Sequence, residues 1–352
     1  MSSFVCARPS RIVIASALAS VMAAGFHSNA SGQTADAVAQ FYQNRTITLI
    51  LGYPPGGAND AYARLVTQFI GQHIPGAPKV ILQHMPGAGS NIAANYIYNS
   101  APNDGTVLGL LVPTLPLEER LGLSTARFKT ANFSWVGRLA PAPNITFMWH
   151  TSSVRTIADA FDRESTLGAT GNIATNAIYP ALLNNLLGTK FKIVLGYQGS
   201  GPAMIAMERG EIEGHSPTLD TLTALHPDWI AEKKVNIIVQ YSLKRHSELP
   251  DAPTALELAK TETQSRVLQL VGASGDIGKA LLSTPDLPPA RLAALRKAFQ
   301  AMLEDPEFQI QARRQRITIS AMPGEELGAI VKNVAASPDA VVAEVKQFYP
   351  AH

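Results

Sequence analysis

The sequence predicts an α/β protein of about two domains, built from parallel sheets with helices packed against them. The chain has 352 residues, a length that favours about two domains. Short apolar runs alternate with amphipathic segments of helical period, and this order is typical of parallel α/β sheets. Hydrophobic residues make up 46% of the sequence, so sizeable cores can form.

Eight β-rich runs are predicted to be buried strands. They cover residues 47–53, 79–85, 107–112, 133–139, 145–150, 167–170, 191–197 and 235–241. Amphipathic segments lie between them. After Asp60, apolar side chains from Tyr62 to Ile70 recur on one helical face, and further helices are predicted over residues 174–187 and 203–209.

The last part of the chain, from about residue 286, is predicted to be mainly helical. Pro288-Pro289 precedes a helix that runs through residue 303, and Asp305-Pro306 begins another that runs through Arg314. A short strand over residues 317–322 and terminal helices are predicted to follow.

The N-terminus is predicted to be a secretory signal peptide over residues 1–30. Arg8 and Arg11 precede an uncharged apolar run over residues 12–26, and small residues near Ala30 offer a cleavage site. This run is shorter than the roughly 20 residues that a membrane span needs. The single cysteine, Cys6, lies within the segment, so the exported chain would have no disulfide and no thiolate metal site.

The predicted mature protein is close to neutral. Loss of Arg8 and Arg11 takes Lys+Arg from 29 to 27, which equals the 27 Asp+Glu. Nucleic acids and anionic membrane surfaces are therefore poor candidate partners.

Four glycine-rich loops each follow a predicted strand and precede a predicted helix. They are GYPPGGAND at 52–60, HMPGAGSN at 84–91, GATGN at 168–172 and GYQGSGP at 196–202. Glycine lets the backbone approach a ligand closely, and the first turn of a helix presents unpaired N–H groups that favour an anion. The loops predict an anion-binding crevice if they converge. The simpler alternative is that they are ordinary turns in which Asn59, Asp60 or Asn91 caps a helix.

Enzyme and cofactor motifs are incomplete. Residues 272–280 resemble a phosphate-binding P-loop, but Ala273 replaces the first required glycine and Ala280 replaces the final Ser or Thr. Ser216 lacks the second glycine of a nucleophile elbow and is followed by Pro217, which has no N–H for an oxyanion hole. The eight histidines show no paired spacing for a metal. We therefore expect no catalytic residues, no metal and no cofactor.

The loops resemble those of the Bug-type receptors, the periplasmic solute-binding proteins of tripartite tricarboxylate transporters. The matching stretches are residues 47–57, 86–92, 101–106, 196–202 and 207–211. This resemblance implies a two-lobed α/β fold of the type II periplasmic-binding-protein class, each lobe a mixed sheet flanked by helices, with a ligand cleft at the hinge. It implies that lobe 1 holds residues 45–142 and 264–352, and that lobe 2 holds residues 143–263.

The resemblance also implies which residues contact a ligand. In the family, two Pro-Gly loops hold a ligand carboxylate through main-chain groups and water, and the second lobe recognises the remainder. Carried over to this sequence, the lobe 1 residues are Tyr53, Ala58, Asn59, Asp60, Gly87, Ala88, Ser90 and Asn91. Those of lobe 2 are Thr170, Asn172, Thr175, Tyr197, Gly199, Ser200, Pro217, Thr218 and Asp220. Residues 213–216 depart from the family's pattern, in which a strand ends in aspartate, and this disfavours an amine-bearing ligand.

The function implied is capture of a small organic anion and its delivery to the membrane permease subunits of such a transporter. The protein would be a periplasmic monomer. Two alternatives stay open: a sensory receptor of the same fold that docks on a membrane sensor kinase, and an exported hydrolase that uses Ser216.

Overall fold

The computed structural model describes residues 36–123, 126–171 and 174–348, together with Met1 and Ser3. The rest of the predicted signal peptide lies outside the described residues. Within the described part, no helix combines the length and the apolar character needed to cross a membrane.

Six strands form the first sheet, which organises lobe 1. Their spatial order is β11-β4-β10-β3-β1-β2. Four of the six residues of strand β1 are buried, and the strand pairs in parallel with both β2 and β3. The strands β10 and β11 each pair antiparallel with β4, and β10 also runs antiparallel to β3. The bounds are β1 Thr46–Leu51, β2 Lys79–His84, β3 Val107–Leu110, β4 Ser134–Arg138, β10 Ala280–Ser283 and β11 Met322–Pro323.

Five strands form the second sheet, which organises lobe 2. Their order is β7-β6-β8-β5-β9. The strand β6 pairs in parallel with β7 and β8, whereas β5 runs antiparallel to β8 and β9. The bounds are β5 Asn144–Trp149, β6 Ser165–Gly168, β7 Phe191–Val194, β8 Gly214–His215 and β9 Val235–Tyr241. The two-lobed α/β arrangement of mixed sheets is confirmed, while the purely parallel sheets suggested by the alternation of elements are not observed.

Helices cover both faces of each sheet. In lobe 1 they are α1 Gly57–His73, α2 Asn91–Asn99, α3 Leu115–Leu121, α9 Pro289–Glu304, α10 Pro306–Arg314, α11 Gly324–Ala335 and α12 Asp339–Lys346. In lobe 2 they are α4 Asp159–Asp162, α5 Thr175–Leu187, α6 Ser200–Glu208 and α7 Leu219–Leu225. A helical segment over residues 36–42 precedes β1, and short 3-10 helices cover Thr130–Asn132 and Ala255–Leu258.

The apolar periodicity after Asp60 correctly predicts the buried face of α1. Leu65, Val66, Phe69 and Ile70 are buried in the lobe 1 core beneath β1. The ring of Phe69 packs edge to face on Phe308 of α10, with centroids 5.7 Å apart. These contacts attach the C-terminal helices to the first sheet.

Near the C-terminus, one strand prediction needs correction and one observed strand is absent from the prediction. The predicted strand over residues 317–322 is reduced to a two-residue pairing at Met322–Pro323. Strand β10, at Ala280–Ser283, is not predicted because its four residues follow a glycine-rich stretch and carry no alternation. Its pairing with β3 and β4 is entirely long-range, so the sequence pattern shows little of it.

Helix α8, Glu262–Ile277, contacts both lobes. Its apolar face shares a core cluster with Tyr179 and Val239 of lobe 2, and with Leu117 and Val341 of lobe 1. The predicted lobe boundaries therefore stay a prediction, since this helix lies between the two sheets and serves as one connection between them.

The end of α8 lies against the other connection, residues 139–143, and against the end of β9. The Ala142 N–H donates to the Gly275 carbonyl at 2.8 Å, and the Lys279 N–H donates to the Ala140 carbonyl at 2.8 Å. A Cβ on Gly275 would lie 2.5 Å from the Tyr241 carbonyl oxygen. The glycines of residues 272–280 thus serve a close backbone contact at the end of a helix, whereas a P-loop opens a helix.

We expect Gly275→Ala to destabilise the protein by about 1–3 kcal/mol, because the new Cβ would meet backbone atoms that cannot move aside independently. Helix propensity alone would predict a gain of about 1 kcal/mol for the same change. Denaturant unfolding monitored by circular dichroism would measure the difference.

The matched control is Gly328→Ala in α11. There the nearest atom to a new Cβ is a side-chain carbon of Trp135 at 3.7 Å, which is ordinary contact. This variant should be neutral or more stable by about 0.5–1 kcal/mol. Equal effects of the two substitutions would contradict the close-contact explanation.

Candidate ligand-binding cleft

A cleft of about 570 Å³ lies between the two lobes. Its size suits a small-molecule ligand. Its lining residues are Tyr53, Gly57, Ala58, Asn59, Val112, Pro113, Thr114, Ala142, Asn144, Thr175, Tyr179, Ser200, Gly201, Thr218, Asp220, Thr221, Ala224, Leu225, Tyr241, Ser274, Gly275 and Lys279. A groove of about 480 Å³ between α8 and the C-terminal helices is lined by none of the predicted binding residues. The cleft between the lobes is therefore the candidate site.

Three helices begin at the cleft without a side-chain cap among the described residues. Helix α1 begins after Gly56, which has a φ of 88°, and α6 begins after Gly199, which has a φ of 146°. Helix α5 begins at Thr175 after an extended Ala174. The first-turn N–H groups of these helices are uncapped by side chains, and their dipoles favour negative charge at this end. The cleft wall is therefore suited to an anion.

Asp60 stabilises the first loop from within and does not line the cleft. Its carboxylate accepts hydrogen bonds from the Gly56 N–H at 3.0 Å, from Arg64 Nε at 2.9 Å and from His84 Nε2 at 2.7 Å. Burial by itself raises the pKa of Asp60, but these three hydrogen bonds outweigh it and lower the pKa to about 2. The carboxylate holds the loop before α1 against the end of β2.

The second Pro-Gly loop is attached to the sheet by Ser90. The Ser90 hydroxyl donates to the Gly52 carbonyl at 2.8 Å and accepts from the Val112 N–H at 3.3 Å. Ala88 and Ser90 have φ values of 45° and 65°, which are uncommon for residues with a side chain. The Asn91 side chain donates to the Ala88 carbonyl at 2.8 Å and supports this conformation. The loop therefore fixes the ends of β1 and β3 next to the cleft.

In lobe 2, His215 positions the start of α6. Burial lowers the pKa of His215, so the ring is neutral near pH 7. Its Nδ1–H donates to the Gly168 carbonyl at 2.7 Å, which leaves Nε2 to accept from the Ser200 hydroxyl at 3.0 Å. Ser200 lines the cleft, and a fully buried histidine holds its side chain in place.

The cleft also contains an ion pair and several phenols. Lys279 Nζ lies 2.6 Å from Asp220 Oδ2. Burial raises the pKa of Tyr53, Tyr179 and Tyr241, so all three hydroxyls stay protonated and uncharged. The site thus offers backbone N–H groups, neutral hydroxyls and a buried ammonium that is paired with the Asp220 carboxylate.

The family model described as the tripartite tricarboxylate transporter family receptor, TctC, matches residues 63–345. The chain belongs to this receptor family. The Bug-type resemblance is thereby confirmed. The family is one of periplasmic solute-binding receptors, and membership implies an exported protein.

Relatives of this TctC-family receptor are distant in sequence. A protein of Pseudomonas sp. strain P51, named as the UPF0065 protein in the tcbD-tcbE intergenic region, is 26% identical over 224 residues. The alignment covers 62% of this chain and 64% of that relative, which is less than two thirds of the relative's length.

Many solved structures match this fold, including the following three. A TctC solute-binding protein from Polaromonas has a TM-score of 0.67 at 22% identity, covering 87% of this chain and 99% of its own. MatC from Rhodopseudomonas palustris, with bound malate, has a TM-score of 0.56 at 19% identity and coverages of 85% and 99%. Another R. palustris protein, with adipate, has a TM-score of 0.56 at 21% identity and coverages of 86% and 97%.

The structure brings seven of the predicted binding residues into the receptor's cleft. These are Tyr53, Ala58, Asn59, Thr175, Ser200, Thr218 and Asp220. The following nine do not line it: Asp60, Gly87, Ala88, Ser90, Asn91, Thr170, Tyr197, Gly199 and Pro217. Asn172 lies outside the described residues.

The predicted residues that do not line the cleft mostly have a structural contact instead. Thr170 donates through its N–H and hydroxyl to Asn176 Oδ1, at 3.2 and 3.3 Å. Tyr197 packs against the lobe 2 core, and the Pro217 carbonyl accepts from the Ile145 N–H at 2.8 Å. They support the loops next to the residues that line the cleft.

Lys279 is the lining residue that the sequence prediction most clearly missed. It lies in the stretch 272–280, whose incomplete P-loop pattern is defined by its glycines and predicts no role for this lysine in the cleft. Asn144, Tyr179 and Tyr241 were also missed, because the pairing of β5 with β9 and the packing of α5 place them at the cleft. A signal for Lys279 was present: it is a lone lysine between the apolar residues Ile277 and Leu281–Leu282.

Ser216 is not arranged as a nucleophile. Its side chain is fully buried, and its hydroxyl bonds the Ile145 carbonyl at 2.9 Å and the Thr146 hydroxyl at 2.9 Å. The adjacent His215 bonds Gly168 and Ser200 instead. Among the described residues, no group of three or more His, Cys, Asp or Glu side chains is placed to hold a metal ion.

We expect Asp60→Asn to lower the free energy of unfolding at neutral pH, because the charged acceptor of three hydrogen bonds is lost. The folded-state pKa is lowered from 3.8 to about 2, so the carboxylate stabilises the fold above pH 3.8. That contribution should disappear as the pH falls towards 2. Urea unfolding of both proteins across this pH range would measure the difference.

The exposed Asp251 provides the control, since Asp251→Asn removes a carboxylate with no hydrogen bond among the described residues. This variant should match the wild type throughout. A gap between Asp60→Asn and wild type that stays constant down to pH 2 would contradict the assignment.

Proposed function

We propose that this receptor captures a small organic carboxylate in the cleft between its lobes and delivers it to the permease subunits of a tripartite tricarboxylate-type membrane transporter. The observation that carries the proposal is the convergence of the uncapped starts of α1, α5 and α6 on one cleft that also contains Lys279. Backbone N–H groups and an ammonium are the groups that replace water around a carboxylate.

The family and its structural neighbours support the ligand class. The family is described as a transporter receptor family, and two neighbours of the same fold were solved with malate and with adipate, which are both carboxylates. Tyr53, Tyr179 and Tyr241 line the same cleft, so an aromatic acid is also compatible with its walls.

The proposed mechanism is closure of the two lobes around the ligand. The first-turn N–H groups of α1 come from lobe 1, and those of α5 and α6 come from lobe 2. A carboxylate bound between them contacts both lobes, so it favours the closed form. Exclusion of water from the closed cleft then strengthens these hydrogen bonds. The permease recognises the closed form, and no covalent step is needed.

A thermal-shift screen of the chain from about Ser31 tests the ligand class. The panel is acetate, malate, adipate, citrate and benzoate. A ligand at 100 times its Kd should add about 2.7 kcal/mol to the free energy of unfolding and raise the Tm clearly. If no carboxylate in the panel raises the Tm of the folded protein, the proposal is wrong.

A charge placed in the cleft tests the location. Gly201 lines the cleft, and a Cβ there would meet nothing within 4 Å. We expect Gly201→Asp to fold normally, because the first turn of a helix tolerates a carboxylate, and to lose the carboxylate-induced Tm shift through like-charge repulsion.

The matched control is Gln269→Glu, which adds the same charge to the groove beside α8. It should retain the full Tm shift. Loss of the shift in both variants, or in neither, would place the ligand outside the cleft between the lobes.

A further inference from the structure

An ion pair crosses the candidate cleft from one lobe to the other. Lys279 directly precedes β10 of the lobe 1 sheet, and Asp220 lies in the first turn of α7 in lobe 2. Their Nζ and Oδ2 atoms are 2.6 Å apart, and both residues line the cleft. Asp220 is the only acidic residue of the described chain found within 4 Å of the Lys279 ammonium.

Lys279 is held by backbone contacts. Its N–H donates to the Ala140 carbonyl at 2.8 Å, and its carbonyl accepts from the Leu139 N–H at 2.9 Å. The preceding Gly278 has a φ of 53° and packs directly on Ala140. The start of the lysine side chain is therefore fixed at the junction of the two lobes, and its ammonium is presented from a rigid part of the fold.

The two partners differ in how far they depend on each other. The Lys279 side chain is only 8% exposed, whereas that of Asp220 is 28% exposed. The Asp220 carboxylate also lies at the start of a helix, where the dipole favours negative charge. A buried ammonium without an anionic partner is costly, while a half-buried carboxylate at a helix start keeps part of its solvation. Lys279 therefore needs an anion more than Asp220 needs a cation.

The contact between them is short but poorly aligned. Asp220 Oδ2 is buried and accepts no hydrogen bond of acceptable geometry from the described residues, although the lysine nitrogen is within reach. A carboxylate that enters the cleft freely can align with the ammonium better than a side chain fixed on α7. Residues of the first turns of α1 and α6 line the same cleft as this ammonium.

We infer that Lys279 is the cation that binds the carboxylate of the ligand, and that Asp220 is a built-in competitor for it. The ligand carboxylate takes the place of Asp220 beside the ammonium. This inference rests on the proposed function and adds to it a specificity-determining residue. Backbone N–H groups alone would accept any small anion. Lys279 favours a ligand whose negative group reaches the junction of the lobes.

Titration calorimetry with the carboxylates of the panel tests the inference on three variants of the full mature chain. Asp220→Asn removes the competing charge, so we expect binding about fivefold tighter than in the wild type. Lys279→Met with Asp220→Asn removes both charges and leaves no unpaired charge to prevent folding. This double variant should bind about 2-fold to 20-fold more weakly than the wild type, a comparison that does not depend on the folding of Asp220→Asn alone.

The control variant is Lys244→Met, which removes an exposed lysine outside the cleft and should bind as the wild type does. If the double variant binds as tightly as the wild type, or if a folded Asp220→Asn binds more weakly than the wild type, the ion pair is only a contact between the lobes and the inference is wrong. In both cases the wild type still binds, so the proposed function stands. A wild type that binds no carboxylate overturns the proposed function and the inference together.

Discussion

The backbone of helix α8 near its C-terminal end packs directly on residues 139–143 and on the end of β9, and this contact fixes how the two sheets meet in the receptor. Gly272 packs on the backbone of Ser242, Gly275 on the Tyr241 carbonyl, and Gly278 on the Ala140 carbonyl. Any side chain at these positions would separate the helix from the connections between the lobes. Because the backbones touch, the ends of β4, β9 and α8 lie next to each other. Loops of both sheets line the cleft beside this contact.

That junction also decides the electrostatics of the cleft. Lys279 follows the last of these glycines, so its ammonium is delivered to the cleft floor by backbone geometry. The N–H groups of α1, α5 and α6 add partial positive charge from both lobes.

On the other side of the junction, Arg138 donates to the Asp276 carbonyl and to the Ser320 carbonyl, while the Asp276 carboxylate accepts from the Leu243 N–H. These hydrogen bonds join α8 to the end of β4 and to the chain after β9. They therefore fix the position of the cleft floor relative to both sheets.

The loops around the cleft differ in what they contribute, although their sequences are similar. The loop at 52–60 places its backbone in the cleft because Asp60 and His84 anchor it to β2. The loop at 84–91 repeats the same outline, yet Ser90 ties it to Gly52 and Val112 and it supports the site from outside. Similar glycine spacing thus produces one loop that lines the cleft and one that orders its neighbours. The difference lies in what each polar side chain binds: Asp60 bonds within its own loop and to His84 of β2, whereas Ser90 bonds to the backbone beyond the ends of β1 and β3.

Local patterns in the sequence determined the α/β class, most strand and helix positions, the family resemblance and the glycine loops at helix starts, because each depends on side-chain periodicity or on turn chemistry within a few residues. Only the tertiary structure decided which strands run antiparallel to their neighbours, the existence of β10 and which residues line the cleft. Lys279 and Asp220 are 59 positions apart in the sequence, and neither shows a local signal of the other. Their contact exists because α8 passes between the lobes and its glycines allow backbones to touch, which is a long-range packing result that no local pattern records.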